Sequence, residues 1–273
     1  MNIQLSNKRM LEYGLNESHS NIFSFSTTRH GGCSEGAYAS FNCNDYCGDH
    51  LEVVRRNQEI LRDILPGHPE LIIPHQVHKT EVRVIDDEFL GCDEAVRKEK
   101  LEGFDAIVSN RAGVCLCIST ADCIPVLCYD TRKQAIAAIH AGWRGTVERI
   151  VEKTLQVMKE QYGTNPADVQ AVIGPGISLE SFEIGDEVYQ AFADKGFDMG
   201  RIARKYAKWH IDLWEANRLQ LTNSGVKAEN IELSGVCTYL QHEDFFSARR
   251  LGIRSGRILS GIMLKTTCEG NSI

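Results

Sequence analysis

No CxxC pair occurs anywhere in the 273 residues, so neither a zinc ribbon nor a thioredoxin-like motif is encoded, despite ten cysteines. No apolar stretch is long enough to span a bilayer, because charge or glycine interrupts each one. The first residues, MNIQLSNKRMLEYGLN, lack the continuous apolar segment of a secretory signal. The expectation is a cytoplasmic chain, away from membranes, whose cysteines are free thiols or metal ligands and not a disulfide framework. Positive charge is also in short supply. Lys and Arg number 30 against 37 Asp and Glu, a formal net charge of −7. That gives no electrostatic reason to expect nucleic acid or an anionic lipid surface as partner, while leaving room for a local basic pocket for phosphate. There is no internal repeat and no linker rich in Pro, Gly and Ser. One domain over 1–273 is the simplest organisation; the sequence says nothing of oligomeric state.

What is present is an ordinary globular composition, 42% apolar and 25% charged, enough for a sizeable core. Strands are expected at 22–26, 71–73, 81–85, 106–108, 114–119, 124–129, 135–139, 169–173, 231–233 and 258–264. The central ones are apolar at nearly every position, as in sheets covered on both faces. Val54, Leu61, Ile64 and Leu65 mark one face of a helix closed by Pro66-Gly67. Val147, Ile150, Val151, Leu155 and Met158 mark another, stopped by Gly163. Shorter helices fit 186–193 and 214–224. Residues 1–21 are weakly patterned, 86–103 read as a charged, solvated excursion, and the loop at 27–49 is long enough to suggest function. Strands and helices mix without strict βαβ alternation. The fold class is therefore α/β, a layered single domain with a mixed, partly antiparallel central sheet covered by helices.

Chemistry concentrates where buried strands end. The run 135–139 stops at His140, followed by Gly142-Trp143-Arg144-Gly145. Upstream, Thr120-Ala121-Asp122-Cys123 precedes another strand. If 124–129 and 135–139 form a hairpin about Arg132, position 124 faces position 140, and Cys123 lies within one residue of the partner of His140. A paired Cys and His support two chemistries. One is a nucleophilic thiolate activated by imidazole. The other is a metal site, for which Gln76-Val77-His78 supplies a third ligand. Two imidazoles, one thiolate and a fourth position for water make a catalytic zinc composition, which activates water near neutral pH. His75, three residues before His78, could share a helical face with it, but Pro74 argues against a helix there, so His75 is expected beside the site or exposed.

Together TTRHGG, QVH, TADCIPV, HAGWRGT, IGPGI, CT and FFSARR, in order over about 27–257, resemble the YfiH-like family. Its members carry the label multicopper polyphenol oxidoreductase, or laccase domain, and are also described as purine nucleoside phosphorylases with adenosine deaminase activity. The resemblance implies one zinc held by His78, Cys123 and His140. It implies phosphorolysis of adenosine, inosine, guanosine or methylthioadenosine, with phosphate as co-substrate, and hydrolytic deamination of adenosine. Lys79 stands where glycine is common in the family. Arg29 and Arg249 are candidates to hold phosphate; Asn42 and Gln76 either orient the nucleoside or tie down a loop. Asp122 adjoins the ligand Cys, and the general acid is unassigned. Copper is disfavoured: the sequence has no His-x-His pair and no Met beside these motifs to act as a weak axial ligand. The absence of P-C-x-x-C separates it from the zinc nucleobase deaminases. A metal-free Cys–His hydrolase acting on an amide or a peptidoglycan precursor is the alternative enzyme, and a non-enzymatic metal- or partner-binding protein the alternative outside enzymes. Cys115, Cys117 and Cys128 read as small buried hydrophobes, and Cys237 as the further thiol of interest.

Overall fold

The computed structural model describes residues 5, 6 and 9–266; the ends of the expected 1–273 domain, and Cys268, lie outside them. Two six-stranded sheets carry the architecture. The first runs β1 (Leu5–Ser6), β2 (Met10–Glu12), β3 (Ile22–Thr27), β15 (Ile258–Leu264), β7 (Val114–Thr120), β4 (Glu70–Ile72). Only the β4–β7 pairing is parallel. The second runs β14 (Ile231–Leu233), β10 (Val169–Ile173), β8 (Ile124–Asp130), β9 (Ala135–Ala141), β6 (Ala106–Ser109), β5 (Val82–Ile85), antiparallel in the middle and parallel at both edges. A small third sheet joins β11 (Glu183–Ile184), β13 (Trp209–Ile211) and β12 (Ala203–Lys205).

Side-chain alternation explains the dense apolar runs. Leu116 and Ile118 of β7 meet Leu127 and Tyr129 of β8 and Ile136 and Ala138 of β9 between the two sheets. The intervening Cys115 and Cys117 point the other way, onto Leu61 at the buried face of helix Leu51–Ile64. Likewise Val126, Ala137 and Ile139 face outward onto Val151, Leu155 and Met158 of helix Ile150–Tyr162 and Ala216 of helix Leu213–Asn223. The order is helix, sheet, sheet, helix, and each central strand is apolar on both sides because each side has a cover. The fold is mixed α/β as expected, but the single central sheet is corrected to two stacked ones.

Other expectations shift locally. Residues 86–103 hold two short helices, Asp87–Leu90 and Glu94–Lys100, capped by the Asp86 and Asp93 carboxylates. The helix expected from Val147 is two: Trp143–Val147 and Ile150–Tyr162, separated at Arg149, whose φ is 64°. The weakly patterned N-terminal stretch contributes β2 and a short helix, Leu15–Ser18. The hairpin forms, one residue out of the expected register: Ile124 faces Ala141 and Pro125 faces His140. The cause is Asp130. It pairs with Ala135 as the last strand residue, and its Oδ1 accepts the amides of Arg132 and Lys133. That closes a four-residue loop where five were counted.

Candidate metal centre

His78, Cys123 and His140 come together at one end of the sheets. Their ligand atoms all lie within 4.8 Å of one another, and Cys123 Sγ is 3.9 Å from His78 Nε2. The two imidazole rings stand 4.8 Å apart at 80°. His140 is buried at the end of β9, Cys123 is half-buried in the turn between β7 and β8, and His78 is exposed. The trio therefore opens to solvent on the His78 side. Tetrahedral zinc sets its sulfur and nitrogen ligands about 3.5 Å apart, so Cys123 and His78, at 3.9 Å, need to close by only a few tenths of an ångström to share the ion, with His140 within 4.8 Å of both. Gly142 leaves the space for it. Its φ is −68°, which any residue adopts, yet a Cβ there would sit 3.1 Å from both Cys123 Sγ and His78 Cδ2.

Behind the trio lies a residue that sequence reasoning missed. Asp105, 0% exposed, accepts from His140 Nδ1 at 2.7 Å and from the His78 amide at 2.9 Å through Oδ1. Its Oδ2 accepts the amides of Lys79 at 2.7 Å and Val77 at 3.2 Å. The available signal was a lone acid directly before the apolar strand Ala106–Ser109.

The charges follow from these contacts. Burial pushes the Cys123 thiol up, but the imidazoles of His140 and His78 overrule it and bring the thiol down to about 6. Burial opposes protonation of His140, but the Cys123 thiolate and Asp105 hold its proton up to about 9. Asp105 stays below the usual carboxylate range: burial raises it, and the His140 contact together with the amide donors outweighs burial.

The other predicted residues fall into two groups. Gln76 clamps the backbone of Ser119, donating to its carbonyl at 2.8 Å and accepting its amide at 2.7 Å, and so fastens the QVH segment to the end of β7. Asn42 is fully buried and bonds to Asn44, Asp49 and the Arg257 amide; it frames the 28–49 loop and does not reach solvent. Arg29 places Nε on the Ala39 carbonyl and Nη1 on that of His242, with its guanidinium over Phe246. His75 stands outside the trio, half-buried, stacked on Tyr46 and paired with Glu102. Arg249 is tied to the turn that carries Cys123. Its amide donates to Asp122 Oδ2 at 2.7 Å, and its exposed side chain reaches the Glu183 carbonyl and the Phe182 ring. Asp122 itself, at φ 85°, accepts the Thr238 hydroxyl at 2.7 Å on Oδ1 and the Ile177 amide on its carbonyl. One residue thus ties TADC to IGPGI, CT and FFSARR. Gly176 allows the approach, since a Cβ there would meet the Asp122 and Cys123 carbonyls at 3.1 and 3.3 Å. Cys237 is buried, with Sγ accepting the Ser178 amide at 3.4 Å. Cys115, Cys117 and Cys128 are buried in the cores as expected.

The chain matches a family model described as multi-copper polyphenol oxidoreductase laccase over residues 23–265. It is 57% identical over 261 residues to a purine nucleoside phosphorylase of Bacteroides thetaiotaomicron, covering 94% of this chain and 97% of the relative. It is 40% identical over 248 residues to an adenosine deaminase from an unknown prokaryotic organism, covering 89% and 94%. The crystal structure of a Bacillus licheniformis hypothetical protein, YfiH, superposes with a TM-score of 0.87 at 29% identity, covering 96% of this chain and 98% of that one. With a shared fold and matches over nearly full length, the chain belongs to the YfiH-like family, the one described as multi-copper polyphenol oxidoreductase laccase.

Proposed function

We propose that this chain is a zinc-dependent purine nucleoside enzyme, a single catalytic unit working in the cytoplasm. In phosphorolysis a phosphate oxygen attacks C1′ of the nucleoside, the bond from C1′ to the purine nitrogen breaks, and free base and ribose 1-phosphate leave. In deamination water adds at C6 of adenosine and ammonia departs, giving inosine. The observation that carries the proposal is the convergence of His78, Cys123 and His140 on one solvent-open point with a buried carboxylate behind it. Relatives named purine nucleoside phosphorylase and adenosine deaminase supply the substrate class. Bound zinc would supply Lewis-acid activation of water or of a substrate oxygen. The protein's own part is to position the ligands, keep Cys123 as thiolate, and offer Arg249 to the anion. Copper chemistry fits less well: among the described residues the other cluster of this kind is Glu59, Asp63 and His68, exposed and without sulfur. Phosphate-dependent release of hypoxanthine from inosine tests the proposal; no release from fully metal-loaded protein would overturn it.

Arg249→Ala is expected to raise KM for phosphate by about tenfold, the worth of one charge-assisted contact, with zinc content unchanged. The substitution keeps the backbone amide that Asp122 uses, so initial rates across a phosphate series read the side chain alone.

A second reading has a specific observation in its favour. Asp105, His140 and Cys123 stand in the order orienting acid, base and nucleophile, which suits a metal-free hydrolase of amides or cell-wall precursors. Alkylation separates the two. Because the thiol is pulled down to about 6, metal-free protein should react with iodoacetamide at a rate that climbs up to about that pH and is flat by neutrality, whereas an ordinary thiol is still climbing. Zinc should protect Cys123 if it is a ligand. A rate that zinc does not change would favour the hydrolase.

A further inference from the structure

We infer that Asp105 is the positioning residue of this centre: one carboxylate selects the nitrogen through which His140 binds metal and folds the turn that presents His78. The inference rests on the metal-binding part of the proposed function. It stands on four hydrogen bonds to a side chain with no exposure.

The register of the second sheet explains why an acid belongs there. Ala106 pairs with Ile139, so the residue before Ala106 lies across from His140. The backbone repeats the link, with the His140 amide donating to the Asp105 carbonyl at 2.8 Å. Ring and backbone of His140 are both fixed by the same residue. With a carboxylate at Nδ1, the proton of neutral His140 resides on Nδ1, and Nε2 is left as the lone-pair atom towards Cys123 and His78.

The same carboxylate gathers three consecutive amides, those of Val77, His78 and Lys79. Successive N–H groups around one anion form a nest, and such a turn needs a residue in the left-handed region. His78 is that residue, at φ 61° without being glycine. A β-carbon resists this conformation, so the ligand arm is held in place by its three bonds to Asp105. His78 and His140 are thus both held by this one carboxylate.

The test is Asp105→Asn, which keeps the volume but turns one acceptor into a donor. In one orientation an N–H faces the Lys79 and Val77 amides; in the other it faces His140 Nδ1–H and the His78 amide. Either way one arm loses its hold. Chelator competition on the full chain should show zinc binding weakened about 10- to 100-fold, as for other groups that orient a ligand. Ile107→Ala, buried on the same strand, serves as the stability control and should bind zinc like the wild type. Equal zinc affinity in Asp105→Asn and wild type overturns the inference, as does an equal loss in Ile107→Ala. If Asp105→Asn does not fold, the long-range proton–nitrogen NMR spectrum of zinc-loaded wild type decides. His140 should keep a proton on Nδ1 and carry the metal shift on Nε2; metal on Nδ1 overturns the inference. A wild-type chain that takes up no zinc overturns the metal reading and the inference with it, whereas zinc held equally by both chains overturns the inference alone.

Discussion

Cys123→Ala is expected to abolish stoichiometric zinc and, with it, phosphorolysis. Cys123 is the one anionic member of the trio, and its thiolate is already favoured by the two imidazoles before metal arrives. Removing it leaves two neutral nitrogen donors, one of them exposed, and a weaker site than the two-imidazole, one-thiolate set. The expected fall in metal affinity is on the order of 10³ or more, well beyond the effect of losing a group that only orients a ligand. The fold should persist, because the half-buried Cys123 side chain belongs to none of the three cores. Loss of turnover alone would not discriminate, since a nucleophilic cysteine predicts it too. Metal content does. About one zinc per wild-type chain, absent from Cys123→Ala, supports the proposed centre. Metal-free wild type with a rapidly alkylated Cys123 points to the hydrolase. Zinc retained in the variant removes Cys123 from the ligand set, and several coppers per chain would restore the chemistry that the family description names.

The cluster of His78, Cys123 and His140 was legible because each member stands at a punctuation mark. His140 ends an apolar run before Gly142, Cys123 opens one, and His78 follows a short strand and Pro74. Hairpin length then brought two of them together even with the register misjudged by one, because proximity survives a slip that exact facing does not. Asp105 was not legible in the same way. Its role depends on the pairing of β6 with β9, two strands separated by the β7–β8 excursion, and nothing local marks that partner. The same limit hid the second sheet. A strand covered by another sheet and a strand covered by a helix are equally apolar, so Leu116 and Ile139 look alike in sequence though one meets a sheet and the other a helix. For Asn42 the sequence leaves two roles open, orienting a nucleoside or tying down the loop, because nothing local shows which way the loop folds. A loop folded inward has amides and carbonyls of its own to satisfy, and the Asn42 side chain bonds to them.

Asp122, next to Cys123, is expected to brace the turn and not to carry the chemistry. As a general acid it would need a free oxygen near the substrate. Both of its oxygens are engaged instead, one by the Thr238 hydroxyl and one by the Arg249 amide, each at 2.7 Å. Its backbone sits at φ 85°, which an Asp tolerates better than most residues but an alanine does not. Asp122→Ala therefore loses two bonds to a charged acceptor and keeps the strain. At about 1.5 kcal/mol for each bond, the low end suited to a half-buried group, the expected loss is about 3 kcal/mol of stability. Urea unfolding of zinc-loaded wild type and variant measures it, and an unchanged midpoint would mean that Asp122 braces nothing. Asp122→Asn separates bracing from acid catalysis. Asparagine also accepts the left-handed backbone and can still accept from Thr238, so a bracing role predicts partial stability with full zinc and measurable phosphorolysis. An acid role predicts a stable, zinc-loaded protein with turnover lowered by about 10²-fold or more. The hydrogen bonds favour the first outcome, in which Asp122 fixes the Cys123 turn and sets Arg249 beside it.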